Sequence, residues 1–335
     1  MRVRSVMSVI LPALLIGTLA RLPLAAQPAP STSAPATSAP ATSTTSSKTW
    51  RTPWGDPDLQ GSWSNATTTA LQRPAKYAGR EFLTAAERAE QDTQTAIGTD
   101  KRAAPGTAED VNGAYNGFWW ERGWSDGRTS LIYDPLDGRI PPMTPEAQRR
   151  QAEQARLDPL NPNFAGANGP EDFEFYTRCI IRAPLPRVPT GYDNNYQIVQ
   201  TPGSVAILQE QMHETRIIPL DGRPHLDQSV RQWLGDSRGH WEGNTLVVET
   251  TNFRDDTPFQ GSTKNLRLTE RWTRLADDRI DYRFKVEDPA AWSRAWSAAI
   301  SWNKVGMLLE YACHEDNYGL YSILSGARVQ EKGPR

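Results

Sequence analysis

"DRIDYRFKVED", residues 278–288, carries the alternation on which the fold class turns. Ile280, Tyr282, Phe284 and Val286 fall on one side of an extended chain, and Arg279, Asp281, Arg283 and Lys285 on the other, because successive strand side chains point to opposite faces. One face is dry and one is wet, the pattern of an antiparallel sheet packed along one side. Runs of similar character surround it: "SVAILQEQMHETRIIPL" (204–220), "NTLVVETTNF" (244–253), "NLRLTERWTRL" (265–275), "AWSAAISWN" (295–303) and "MLLEYAC" (307–313). Each is rich in β-branched or aromatic residues, and the separators carry Gly, Pro, Asn or Asp. With no helix signal between them, they predict an antiparallel meander. A meander of this length closes into a barrel to remove its edges. The expected class is therefore mainly β, with a lipocalin-like barrel over residues 192–328 and a short tail at 329–335.

Residues 50–191 read as an irregular wrapping segment, rich in Pro, Gly and Asn, with two short helices. "LTAAERAEQ" sets Thr84 three residues before Glu87, a capping box that satisfies orphan helix N–H groups. "MTPEAQRRQAEQARL" sets Thr144 at the N-cap and Pro145 at the first helical position, where its missing N–H costs nothing. Both helices are poor in apolar residues, so they are expected to pack on the surface of something else. "LIYDPLDGRIP" (131–141) and "RIIPLDGRPH" (216–225) echo each other. Asp-Gly after a β-rich run predicts two similar hairpins.

At the N-terminus, Arg2 and Arg4 precede an apolar run from Val6 to Ala20, and small residues lead up to Ala26. That is the pattern of a signal peptide over residues 1–26. The run holds Pro12 and Gly17 and falls short of the roughly 20 apolar residues of a spanning helix, so cleavage is expected over a retained anchor. Residues 27–49 contain "QPAPSTSAPATSAPATSTTSSK", which has no large apolar side chains with which to offset its ordering entropy. It reads as a disordered Ser/Thr/Pro/Ala-rich linker, either a plain tether, a spacer through the envelope or a glycosylated stalk. Loss of the first 26 residues removes Arg2, Arg4 and Arg21 and no acid, so the formal charge moves from −2 to −5. That balance argues against nucleic acid, which needs clustered Lys and Arg, and against an anionic membrane surface; no membrane insertion is expected after cleavage. The expected location is periplasmic or extracellular. There the two cysteines, Cys179 and Cys313, are expected to form a disulfide; the alternative is two unpaired buried thiols.

Candidate chemistry gathers in the barrel half. In "MHETRIIPLDGRPH" (212–225) His213 and Glu214 point to opposite faces of a continuous strand, and the spacing is not the helical His-Glu-x-x-His zinc pattern. On that period Ala206, Leu208, Glu210, Met212, Glu214, Arg216 and Ile218 share a face, whose apolar members place it inside the barrel. Val205, Ile207, Gln209, Gln211 and His213, on the opposite face, are also partly apolar, so the facing has two solutions. Glu270 alternates with Leu266, Leu268 and Trp272, and Asn252 with Leu246, Val248 and Thr250. Carboxylates in an apolar enclosure have raised pKa values unless an Arg or hydrogen bonds hold them ionised, and divergent pairs supply a general acid and base. Glu210, Glu214, Arg216, Glu270 and His314 form the candidate catalytic set. The competing reading is a structural Glu–Arg network. "YACHEDNYG" adds Glu315, Asp316 and Asn317 where the last strand is expected to end.

Trp119 and Trp120, within "YNGFWWERGW", either stack on a ligand or plug a barrel mouth. They join Asn252, Glu315 and Asn317 as candidate ligand-binding residues. All four histidines, His213, His225, His240 and His314, lie in the barrel half, but spacing alone is weak support for a zinc or copper site. Neither metal nor cofactor is implied. No Gly-rich phosphate loop, Gly-x-Ser-x-Gly elbow or Cys-x-x-Cys is present.

"TPWGDPDLQGSWSN", "FWWERG", "SLIYDPLDGRIPPMTPEAQ", "IVQTPGSVAIL", "RIIPLDGRPH", "WLGDSRGHWEGNTLVVETTNF", "LRLTERWTR" and "YACHEDNYG" together cover nearly all the chain after Trp50. In these stretches the chain resembles a large family of exported bacterial proteins without an assigned activity, calycin-like or lipocalin-like in the C-terminal half. The resemblance implies export and a barrel, and it carries no catalytic residues over. The leading expectation is binding or turnover of a small organic molecule inside the barrel. The alternatives are a periplasmic hydrolase or lyase using the barrel carboxylates and a structural envelope protein.

Overall fold

In the computed structural model of the chain, residues 50–98, 107, 121, 123–156, 168–182, 185–256, 258–315 and 317–332 are described. The expected leader and linker, Trp119, Trp120 and Asp316 lie outside the described residues. Two meanders make the barrel. The first is β3 (Asn195–Thr201), β4 (Ser204–Gln209) and β5 (Thr215–Pro219). The second is β6 (Asp236–Glu242), β7 (Thr245–Thr251), β8 (Arg267–Ala276), β9 (Arg279–Glu287) and β10 (Trp296–Lys304). They are joined by β1 (Gly61–Ser64), which runs antiparallel to both β3 and β10 and pairs Trp63 with Tyr196 on one side and Lys304 on the other. The hydrogen-bonded order is β5-β4-β3-β1-β10-β9-β8-β7-β6, with the short β2 (Ile132–Asp134) also on β10. All named pairings are antiparallel, as the alternation predicts. The barrel is nearly closed: β5 and β6 pack against each other without a ladder. Gly239 makes that seam possible, since a Cβ there would lie 2.8 Å from both Ile218 and Leu220 side-chain carbons.

Ile280, Tyr282, Phe284 and Val286 of β9 are all buried. Around them the interior is filled with rings rather than left as an empty calyx. Tyr196 stacks on Trp302 at 4.5 Å, Trp272 stacks on Tyr282 at 4.8 Å, and Tyr282 meets Trp302 edge-on at 5.4 Å. Fully burying a side chain of Phe size contributes roughly 1.5–3 kcal/mol, and each such ring pair about 0.5–1.5 kcal/mol more. The space left for a ligand therefore lies toward one end.

Both helices read from the sequence are present. Helix α1 (Ala85–Gly98) starts with the capping box, Thr84 Oγ1 accepting from Glu87 N–H at 3.2 Å and Glu87 accepting from Thr84 N–H at 2.9 Å. Helix α2 (Pro145–Arg156) is capped by Thr144, whose hydroxyl accepts from Ala147 N–H at 3.1 Å. A third, α3 (Tyr318–Glu331), has no counterpart in the sequence reading; Asn317 caps it by accepting from Leu320 N–H. Among the described residues no helix is long and apolar enough to cross a membrane.

Three local expectations are corrected. Residues 204–220 are not one continuous alternation. Glu210 to Glu214 form a tight bend in which Met212 and His213 take φ of 65° and 51°, and Gln209 N–H closes it by donating to Glu214 O at 2.8 Å. The bend reverses the parity, so β4 turns Val205, Ile207 and Gln209 inward, while β5 turns Arg216 and Ile218 inward. "MLLEYAC" is not a strand: β10 already has β9 on one edge and β1 and β2 on the other, and Met307 and Leu309 stay exposed. The two Asp-Gly pairs are turns, not hairpins. Only Gly138 and Gly222 take positive φ there, whereas a two-residue type I′ hairpin needs both central residues to do so, and no returning strand follows either turn.

Candidate functional site

The parity reversal sends Arg216 into the barrel, and the alternation of β8 sends Glu270 to meet it. The two are 7 % and 1 % exposed and form a forked pair, with guanidinium to carboxylate distances of 3.1 and 2.5 Å. Arg216 also donates to Ser237 Oγ on β6 at 2.9 Å and to Thr250 Oγ1 on β7 at 2.7 Å. Tyr282 donates its hydroxyl proton to Glu270 at 2.8 Å. Burial and the charge of Glu270 push the Tyr282 pKa well above that of a free phenol, so it stays a donor. One side chain of β5 thus reaches β6, β7 and β8.

A second ion pair stands beside the first. Glu214 accepts from the Arg187 guanidinium and from Arg182 N–H, the latter at 2.8 Å. Glu214 and Arg216 both line a cavity of about 30 Å³ whose walls include Glu270, Trp272 and Trp302. That is room for one or two waters. A larger cavity of about 230 Å³ adjoins it at the end of the barrel where β3 and β5 begin and β4 and β7 end. Arg187, Tyr196 and Gln209 line both spaces. Burial pushes Arg187 down to about 10, with Arg182 and Arg216 adding like-charge repulsion, so its guanidinium remains charged at neutral pH. Burial lifts the Tyr196 hydroxyl to about 12.

Between the two cavities sits Gln209, only 6 % exposed, whose side-chain amide makes no hydrogen bond among the described residues and whose Oε1 is sealed from solvent. Trp272 Nε1 and Trp302 Nε1, on the wall of the inner cavity, are also buried without partners. Leaving such a group unsatisfied costs about 1–3 kcal/mol, so three on one site are informative.

Glu210 belongs to a different cluster. Glu121, Asp193 and Glu210 each bring an oxygen within 4.8 Å of the others, the one such convergence of three potential metal ligands among the described residues. Asn194 and Asn195 donate to Glu121, Asn195 to Glu210 at 2.6 Å, and Leu309 N–H to Glu210 at 2.5 Å. Asp193 has no such donor among the described residues. Burial, with the charges of Glu210 and Glu121, pushes it up to about 6. An unfolded Asp titrates near 3.9, so between about pH 4 and 6 the folded chain binds the extra proton, and stability is lost as pH rises through 6. Asp193→Asn is expected to raise Tm at about pH 7.5, helped by the left-handed φ of 53° that Asn tolerates. Thermal melts across pH check this: the gain should shrink toward pH 4, and a gain that grows on acidification would contradict it.

The remaining candidates do not converge on the cleft. His314 and Glu315 are exposed. Asn317, besides capping α3, donates to Thr177 O at 3.0 Å. Asn252 is buried, and its Nδ2 lies within 3.1 Å of the carbonyl oxygens of Leu226, Asp227 and Val230, pinning that loop. His225 pairs with Asp236 and His240 with Glu242, while His213 is exposed. Cys179 and Cys313 are joined by a disulfide, tying the segment before Arg182 to the stretch before α3. Sequence reasoning missed Arg182 and Arg187, which lie in irregular chain without periodicity, and it had Gln209 only on the alternative face. No protein-family model, curated protein or solved structure matches the chain.

Proposed function

We propose that this is an exported protein that binds a small organic molecule in the cleft at the barrel end. The observation that carries the reading is the Gln209 Oε1, buried beside two adjoining cavities without a partner among the described residues. A pocket with apolar walls and a few convergent polar groups is the usual form of a small-molecule site, and a polar group held unsatisfied is a cost that a ligand's hydrogen bond removes. Export is supported by the basic-then-apolar N-terminus, by the disulfide and by the resemblance to an exported family. Binding is favoured over hydrolysis or elimination because Glu214 and Glu270 each have both carboxylate oxygens taken by donors of the chain itself, which leaves neither placed to act on a substrate. A structural envelope role gives no reason for an unpaired amide beside a cavity.

Gln209→Leu tests the reading. The substitution keeps the bulk and deletes the unsatisfied amide, so the unliganded protein is expected to keep or gain up to about 1–2 kcal/mol of stability while losing the thermal shift produced by compounds found in a small-molecule screen of the wild type. A loss of stability above about 2 kcal/mol, with ligand shifts intact, would show the amide to be structural.

A further inference from the structure

The charges in the cleft do not balance, and the imbalance names a ligand class. Arg187 is matched by Glu214 and Arg216 by Glu270. Arg182, on the wall of the larger cavity, has no carboxylate partner among the described residues, and its Nε is buried without a hydrogen bond. Its guanidinium lies over the Tyr176 ring at 5.0 Å, and that ring is itself held by hydrogen bonds to the hydroxyls of Tyr192 at 2.8 Å and Tyr311 at 3.4 Å. Stacking engages the face of a guanidinium and leaves its in-plane N–H fork for an acceptor. The fork matches a carboxylate in shape and charge. Around it the cavity offers Pro186, Val188, Pro258 and Phe259, which suit an apolar body and not a hydrated inorganic ion.

We infer that the cleft takes a small organic monocarboxylate, its carboxylate meeting the Arg182 guanidinium and its apolar body lying against Phe259 and the two prolines. The inference rests on the cleft being a binding site and adds the charge and polarity of what binds there. One uncompensated guanidinium selects one negative charge. An anion at this position also offsets the like-charge repulsion between Arg182 and Arg187.

The test is calorimetric titration of the full disulfide-bonded protein with straight-chain acids from acetate to decanoate and aryl acids from benzoate to phenylbutyrate, each beside its primary amide, and with sodium phosphate and sulfate. At least one acid is expected to bind tenfold or more tightly than its own amide, with affinity falling as salt is raised. Arg182→Gln should bring that acid down to the amide's affinity, and Arg182→Lys should recover part of the difference. If Arg182→Gln does not fold, the acid–amide comparison on the wild type still decides. Acid and amide binding alike, or phosphate or sulfate binding more tightly than any acid, would overturn the inference and leave the cleft as a binding site of other chemistry. No binding by any acid or amide would overturn the inference and withdraw support from the cleft itself.

Discussion

Arg216→Leu is expected to destabilise the protein by about 3–5 kcal/mol, the range for removing one partner of a buried ion pair. The cost arises less from the lost attraction than from what remains. Glu270, 1 % exposed, would keep only the Tyr282 hydroxyl as a donor among the described residues, and would either sit as an unmatched charge or take up a proton. Ser237 and Thr250 would lose their shared donor and keep only each other, at 3.0 Å. Urea unfolding followed by tryptophan fluorescence measures the loss. In a cycle with Glu270→Leu the double variant is expected to cost clearly less than the two single costs together, since neither charge is then stranded. Additive losses would mean that the pair is not coupled. Hydrogen exchange adds a local signature: amides of β5 and β6 should open first, because Arg216 crosses the seam where those strands lack a ladder.

Removing the disulfide should be of similar size and different in kind. The bridge closes a loop with a sequence separation of 134, for which the chain-entropy account gives up to about 5 kcal/mol. Cys179→Ala with Cys313→Ala is expected to lower the urea midpoint accordingly, and mild reduction of the wild type should reproduce the shift. The released part is the stretch from Val305 to α3, held also by Leu309 N–H on Glu210 and by Asn317 on Thr177. An unchanged midpoint would show that those contacts suffice.

What the sequence discloses and what it hides follow from the range of the forces involved. Thr84, Glu87 and Thr144 are legible because a cap is completed within three residues, and β9 is legible because its neighbours impose the same in-and-out period that the sequence displays. The facing of β4 is hidden by two residues, Met212 and His213, whose left-handed backbone is uncommon for non-glycine residues. A one-step slip then turns every side chain over, which is how Gln209 enters the site and Leu208 leaves it. β-propensity misleads at "MLLEYAC" because pairing needs a free edge and none is left on β10. Arg182 and Arg187 give no signal at all: their importance comes from what is absent around one and present around the other, a property of the packed chain alone.

The four-residue β1 has a kinetic meaning. Trp63 must find Tyr196 and Lys304, so the strand that joins the two meanders is made well before its second partner. Until Lys304 is free the early segment has one open flank, and contacts so distant in sequence form slowly. The segment around Trp63 therefore waits, unclosed, for Lys304. Such a barrel closes only once that residue has been made, and during that interval its tryptophan-rich interior is open to other chains or to a holding factor.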